Sequence, residues 1–247
     1  MVILHSLEAL HEWQNSVHWK DRKTSFVPTM GALHEGHLSL ITKALEQAEL
    51  VVVSVLVNPT QFNDSSDYDG YPRTLESDAA KAASAGAHAV FAPTAEGLYG
   101  GVPTAPEVRW GALTNAYEGA FRAGHFDGVI RVVDLLFQAV RPNSAVVGAK
   151  DLQEVAVVRR MAQERHPQVA IVLGELVRDA RGLALSSRNV RLDDQGMEQA
   201  LALHEALSSI HAAGQALDAD GCWTEALEHA RKQLGEKVGL EYLDVVD

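Results

Sequence analysis

The sequence is almost without cysteine: Cys222 is the only one in 247 residues. A single thiol can close no internal disulfide and build no cysteine-rich zinc site, which makes a reducing compartment the default. Long apolar runs are missing too. The longest, residues 50–57, falls far short of the ~18 residues that cross a bilayer, and Glu8, His11 and Glu12 interrupt the amino terminus where a signal peptide would carry its apolar region. The expectation is a soluble, cytoplasmic protein with no membrane partner. Positive charge is in deficit, with 21 Lys and Arg against 33 Asp and Glu and a net charge of −12. Such a surface disfavours polyanions, so nucleic acid is not an expected partner, although a small basic pocket stays open. Aromatic residues are few, at 6%, yet hydrophobic residues reach 47% and charged ones 22%. That is an ordinary globular balance, and it excludes disordered and fibrous classes.

Short apolar, often β-branched runs recur at residues 25–27, 50–57, 89–91, 145–147 and 169–173. Their length and lack of helical period predict buried strands. Between them, Leu38, Ile41, Leu45 and Ala48 form one stripe at helical spacing. Leu152, Val155, Val158 and Met161 form another, opened by Asp151 and closed before Pro167. Alternating strand and helix predicts an α/β fold: a Rossmann-like, doubly wound parallel sheet with its ligand crevice at the carboxyl ends of the strands. After about residue 175 the character changes. Residues 193–220 read as a helix capped by Asp193 or Asp194, a second helix runs from about 220 to 234, and 240–243 look like a strand. The chain is therefore divided at 1–176 and 177–247, with a small mixed helical and strand domain at the carboxyl end and a hinge region at 177–189. No solenoid repeat or low-complexity tract is present.

The segment richest in chemistry is PTMGALHEGH at residues 28–37, between the first predicted strand and the first amphipathic helix. Here His34 and His37 lie three apart at a helix amino terminus, where free N–H groups and the helix dipole favour a phosphate. Gly36 lacks a Cβ and lets a nucleotide come close to the backbone.

Five further segments follow in order: VNPTQF at 57–62, YPRT at 71–74, HFDGV at 125–129, GAKD at 148–151 and GLALSSRN at 182–189. Together with PTMGALHEGH they resemble the pantothenate synthetase family, in order and in interval, over nearly the whole chain. That family belongs to the nucleotidylyl transferases that share the HIGH signature with class I aminoacyl-tRNA synthetases. The resemblance implies an AMP-forming acid–amine ligase of pantothenate biosynthesis, on the way to coenzyme A. ATP activates pantoate as an acyl adenylate with release of pyrophosphate, and β-alanine then displaces AMP. It also implies magnesium and a homodimer.

By the same resemblance, Met30, Gly31, His37, Gly148, Lys150 and Asp151 bind ATP, with His34, His37 and Lys150 donating to its phosphates and Asp151 suited to a ribose hydroxyl. Ser186, Ser187 and Arg188 are the counterpart of a mobile KMSKS loop, which makes the carboxyl-terminal domain a lid. Pro28, Met30, Asn58, Gln61, Arg122, His125, Val129, Val132, Val133 and Glu154 match positions near pantoate, and Asp78 matches a carboxylate near the metal. A carboxylate attacking a phosphate is already ionised, so positioning and charge neutralisation must carry most of the catalysis.

Four residues depart from the family pattern. Glu154 stands where a glutamine is usual, so a donating amide becomes an anion that repels an acid unless it is protonated or paired. Arg131 replaces a threonine and Asp134 a lysine, and pairing of Arg131 with Glu154 is one way to restore neutrality. Val147 replaces an aromatic residue beside the pocket. The chain also ends some tens of residues earlier than family members usually do, so the last strands of the small domain are expected to be absent. Rival readings are a related ligase for another hydroxy acid or amine, a transferase that leaves the adenylyl group on its product, and a degenerate paralogue used for binding. Retention of both histidines, Lys150 and the serine loop speaks against the last.

Overall fold

A computed structural model describes residues 1–215 and 223–246, and its six strands form one all-parallel sheet in the order β1-β4-β3-β2-β5-β6. They are β1 (Val2–Leu4), β2 (Thr24–Val27), β3 (Leu50–Ser54), β4 (Ala89–Phe91), β5 (Ser144–Gly148) and β6 (Ala170–Gly174). Five coincide with the predicted runs. The sixth, β1, is a three-residue edge strand paired only with β4, and its Val2 and Ile3 stay exposed, so it leaves little pattern to read. Cys222 and the start predicted at 220 for the last helix lie outside the described residues.

The helices are α1 (Leu7–Ser16), α2 (Glu35–Leu45), α3 (Ser65–Asp69), α4 (Leu75–Ser84), α5 (Ala95–Tyr99), α6 (Ala112–Asn115), α7 (Glu118–Phe121), α8 (His125–Val140), α9 (Leu152–Arg165), α10 (Asp194–Gln215) and α11 (Trp223–Gly235). Side chains alternate along each central strand, and this alternation builds two cores. Phe26, Val52, Ala89, Phe91 and Ala145 join Val129, Val132, Val133 and Phe137 of α8 and Met161 of α9 on one face. Val27, Val51, Val53, Val90 and Val146 join Leu40 and Ile41 of α2 and Ala79 and Ala82 of α4 on the other. The predicted doubly wound sheet is what the chain forms.

Strand order reverses at β2, which has β3 on one side and β5 on the other. The loops that follow β2 and β5 thus emerge side by side at the carboxyl edge, which is where open α/β sheets bind ligands. Helix α8 is buried nearly all round, and Asp134 in it is neutralised locally. Burial pushes that carboxyl up, but hydrogen bonds from His166 Nε2 at 2.7 Å, Gln138 at 3.0 Å and Arg165 at 2.9 Å outweigh burial and lower it.

Residues 1–177 and 178–247 form separate compact units. In the second, α10 and α11 pack through Ala202, Ala206, Ile210, Leu227, Ala230 and Leu234. Asp193 caps α10 by accepting from Gly196 N–H at 2.7 Å. The predicted strand at 240–243 is irregular instead: among the described residues no strand lies beside it to complete a ladder. Leu243 is buried against the two helices, and Arg231 donates to its carbonyl at 2.7 Å and 2.9 Å. No helix among the described residues is long and apolar enough to cross a membrane.

Gly128 is the closest approach of α8 to the turn at Pro59–Gln61, since a Cβ there would lie 2.2 Å from the Thr60 carbonyl oxygen and 2.5 Å from the Gln61 nitrogen. Backbone cannot yield as a flexible side chain can. Gly128→Ala should therefore destabilise the protein by about 2 kcal/mol or more, read as a lowered urea midpoint at unaltered slope.

Candidate functional site

The loop from β2 to α2 is held in a strained shape by bonds to β3 and α4. Thr29 donates its N–H to Ser54 Oγ at 3.1 Å and its hydroxyl to the Ser54 carbonyl, and Gly31 N–H donates back to Thr29 Oγ1 at 3.1 Å. Gly31 has φ +89°, and a Cβ there would meet Val55 at 2.8 Å. Ala32 is also left-handed, at φ 50°, which is costly for a residue with a Cβ. Asp78, fully buried on α4, holds this shape. Its oxygens accept from Ala32 N–H at 2.9 Å, Leu33 N–H at 2.7 Å and the Thr74 hydroxyl at 3.2 Å. Lys81, one turn further on, donates to the Leu33 carbonyl at 2.6 Å. Pro28 and Met30 belong to the same loop.

His34 and His37 then cap α2 reciprocally. His34 Nδ1 accepts from Gly36 N–H at 3.2 Å, His37 Nδ1 accepts from His34 N–H at 3.3 Å, and the ring centres are 4.1 Å apart. Each Nδ1 is an acceptor, so the hydrogen-bond pattern assigns the proton of each neutral ring to Nε2. Both rings are kept neutral. Burial, with His34, Lys150 and Lys81 nearby, pushes His37 down to about 3, and burial with the two lysines lowers His34. Two uncharged N–H donors, two nearby ammonium groups and a helix amino terminus make a site for a polyphosphate. Gly148 ends β5 against α2, with room for a Cβ 3.8 Å from Leu40, and Lys150 follows it, donating to Asp151 at 2.9 Å.

A second polar cluster surrounds Gln61. Asn58 is fully buried: its Nδ2 donates to Gln61 Oε1 at 3.0 Å and to the Gly128 carbonyl at 3.2 Å, and its Oδ1 accepts from Tyr99 at 2.8 Å and Thr60 at 3.2 Å. Its amide is thereby saturated. In this arrangement Asn58, expected to meet the acid, holds the Gln61 side chain. Among the described residues, Gln61 Nε2 by contrast faces only the weakly accepting Met30 sulfur at 3.3 Å. His125 Nδ1 lies 2.9 Å from the Gln61 carbonyl, and its Nε2 faces Arg122 Nη1 at 3.3 Å and Glu154 at 4.0 Å. Val129, Val132 and Val133 are buried in the main core.

Comparison with known proteins decides the family. The model of the pantoate–β-alanine ligase family matches residues 2–247. The chain belongs to the pantoate–β-alanine ligase family. It is 46% identical over 226 residues to the pantothenate synthetase of Acidothermus cellulolyticus, covering 90% of this chain and 73% of that one. It is 39% identical over 249 residues to the enzyme of Bacteroides fragilis, covering 100% and 86%. A Thermus thermophilus pantothenate synthetase superposes with a TM-score of 0.86 at 40% identity, covering 96% of this chain and 83% of that one. A Francisella tularensis ligase, described as complexed with β,γ-ATP and β-alanine, does so at 0.81 and 35% identity, covering 94% and 86%.

Within this ligase fold the donor set at Asp78 does not suit a metal. Its carboxylate is buried and already accepts three hydrogen bonds, and no group of three or more His, Cys, Asp or Glu able to hold an ion occurs among the described residues. Asp78, expected near a metal, anchors the loop in this structure. Ser186, Ser187 and Arg188 lie in the second unit, after a turn closed by the Arg178–Ala184 bridge, with Ser186 Oγ accepting from Arg188 N–H at 3.3 Å. Arg131 lies 4.0 Å from Asp134 and over the Tyr99 ring, so its ion partner is on its own helix and is not Glu154. Lys81 and Tyr99 escaped the sequence reading. Lys81 had a signal, three residues from Asp78 on one helix face. Tyr99 had none, being 41 residues from the Asn58 it holds.

Two outcomes follow for the ligase. Asp78→Asn should lower stability by about 2 kcal/mol, equally with magnesium and with a chelator, in thermal unfolding. His37 should titrate near 3 by NMR of the nucleotide-free protein. Since its folded value lies below the unfolded 6.5, the unfolded chain binds the extra proton between about pH 6.5 and 3. Its stabilising contribution is present above 6.5 and lost as pH falls through that window.

Proposed function

We propose that this chain condenses pantoate with β-alanine, driven by ATP, by way of a pantoyl adenylate. The observation that carries this reading is the pair of neutral, outward-donating imidazoles at the head of α2 beside Lys150, in a chain of this family. In the first step a carboxylate oxygen of pantoate bonds to the α-phosphorus, and the bond to pyrophosphate breaks. His34, His37, Lys150 and Lys81 then offset the negative charge gathering on the phosphates. In the second step the neutral amine of β-alanine attacks the acyl carbon, AMP leaves with the electron pair of the broken C–O bond, and the nitrogen gives up one proton to solvent.

Gln61 Nε2 is the amide free to hold pantoate, with Arg122 attracting its carboxylate, Met30 and Pro28 lining the loop beside it, and Asp151 suited to the ribose. Ser186, Ser187 and Arg188 are proposed to close over the phosphates and keep water from an adenylate that hydrolyses readily. Magnesium enters with the nucleotide as its counter-ion, so no step here runs through a protein-bound ion. A cytoplasmic homodimer is the assembly proposed from the family likeness.

Exchange of labelled pyrophosphate into ATP should require pantoate, and AMP should accumulate only when β-alanine is added. Lys150→Ala should slow exchange by about 100-fold or more while leaving the unfolding temperature within a few degrees. Exchange that ignores pantoate but responds to another hydroxy acid would transfer the assignment to that acid.

A further inference from the structure

Helix α4 holds three successive peptide groups of the loop that leads into α2. Asp78 takes the first two, its Oδ2 accepting from Ala32 N–H at 2.9 Å and its Oδ1 from Leu33 N–H at 2.7 Å. Lys81, three residues further on and so on the same helix face, takes the third by donating to the Leu33 carbonyl at 2.6 Å. The peptide group joining Leu33 to His34 is planar and trans, so its carbonyl and its N–H point in opposite directions and turn as one unit. Holding the carbonyl on α4 therefore aims the His34 N–H to the opposite side, where it donates to His37 Nδ1 at 3.3 Å.

The two bonds on this peptide group are unequal. The bond to His37 is long, whereas the bond from Lys81 is short and made by a cation, which puts it in the stronger class. Regular helix begins only at Glu35, so the Leu33–His34 plane is not set by the α2 ladder. Lys81 decides it, and the His37 ring responds to it. While Nδ1 accepts from His34 N–H, the neutral ring carries its proton on Nε2 and keeps one orientation; without that donor, either nitrogen can carry the proton. Burial, with His34 and the two lysines nearby, pushes His37 down to about 3, so near neutral pH its tautomer, not its charge, decides whether Nε2 donates. His34 offers an internal contrast. Its own Nδ1 accepts from Gly36 N–H, inside α2, and that bond does not pass through the Leu33 carbonyl.

We propose that Lys81 is a positioning residue for His37: by holding the Leu33 carbonyl it sets the peptide plane whose N–H fixes His37 as the tautomer protonated on Nε2. The link to catalysis rests on the reading given above, in which His37 donates to the phosphates of ATP. In the wrong tautomer His37 turns a lone pair toward a phosphate oxygen and offers it no donor. A donor aimed at developing charge acts through its exact placing, so loss of the clamp weakens adenylate formation at the chemical step. This role is separate from the positive charge of Lys81, which lies near both rings and lowers the pKa of each. Charge acts on His34 and His37 together, while the clamp acts on His37 alone.

The test is nitrogen-15 NMR of the histidine side chains at about pH 8, without nucleotide, in the native enzyme, in Lys81→Met and in Lys81→Arg. The native His37 should show one tautomer, with an unprotonated Nδ1. In Lys81→Met its Nδ1 signal should move toward the averaged position of two exchanging tautomers while the His34 signals stay in place, and Lys81→Arg, which keeps a donating cation, should restore the native pattern. An unmoved His37 signal in Lys81→Met would overturn the proposal, and so would equal movement of both rings, which marks an effect of charge or of general loosening. Pyrophosphate exchange tests the consequence: kcat should fall about ten-fold in Lys81→Met and return to within about three-fold of native in Lys81→Arg. A selective His37 shift with unaltered exchange would uphold the clamp and remove the phosphate role given to His37, so the two claims fail separately.

Discussion

A buried carboxylate holding backbone N–H groups is the interaction on which the loop leading into α2 depends. The chain leaving β2 must turn sharply enough to present the amino end of α2 at the sheet edge, and it does so through consecutive left-handed residues, Gly31 and Ala32. For alanine that conformation costs about 1 kcal/mol or more. Asp78 offsets the strain with charge-assisted hydrogen bonds to Ala32 and Leu33 inside the protein, where such bonds are short and strong. Because Asp78 and Lys81 share α4, the packing of that helix against the sheet is transmitted directly to the loop.

Reciprocal capping by His34 and His37 then does two things with one set of bonds. It satisfies two of the free N–H groups at the head of α2, and it fixes which ring nitrogen is left to donate outward. Neutral imidazoles suit the task. A site of permanent cations would grip the triphosphate and the released pyrophosphate alike, while donors that strengthen as charge develops favour the transition state. Burial first, and then the fixed positive charge of Lys150 and Lys81, push both rings toward the uncharged form.

The cluster around Gln61 follows a different logic, in which polar groups are arranged through buried intermediaries. Asn58 commits its whole amide to Gln61, Gly128, Tyr99 and Thr60, which leaves the Gln61 amide aimed and nearly uncommitted. The charges that depart from the family pattern sort themselves by packing. Asp134 is satisfied by His166, Arg165 and Gln138, with Arg131 beside it on α8, so that pair is accommodated away from Glu154. Glu154 lies 4.0 Å from His125 Nε2, while Arg122 pairs with Glu118 and Lys150 with Asp151.

The sequence by itself determined the alternating strands and helices, the doubly wound sheet, the family, and the placing of His34 and His37 at the head of a helix and of Lys150 just after a strand. Those features are written in local periodicity and in residues a few positions apart, which sterics and the helix dipole translate directly into structure. Only the tertiary structure decided that Asn58 is an internal strut, that Asp78 anchors backbone, that Tyr99 and Lys81 take part, that Arg131 turns to Asp134, and that residues 240–243 form no strand. Each of these depends on which groups fill the remaining hydrogen-bonding positions of a side chain or backbone. Several of those partners, such as Tyr99 and Gly128 for Asn58 and Leu33 for Asp78 and Lys81, lie tens of residues away in the chain, and packing alone brings them within about 3 Å.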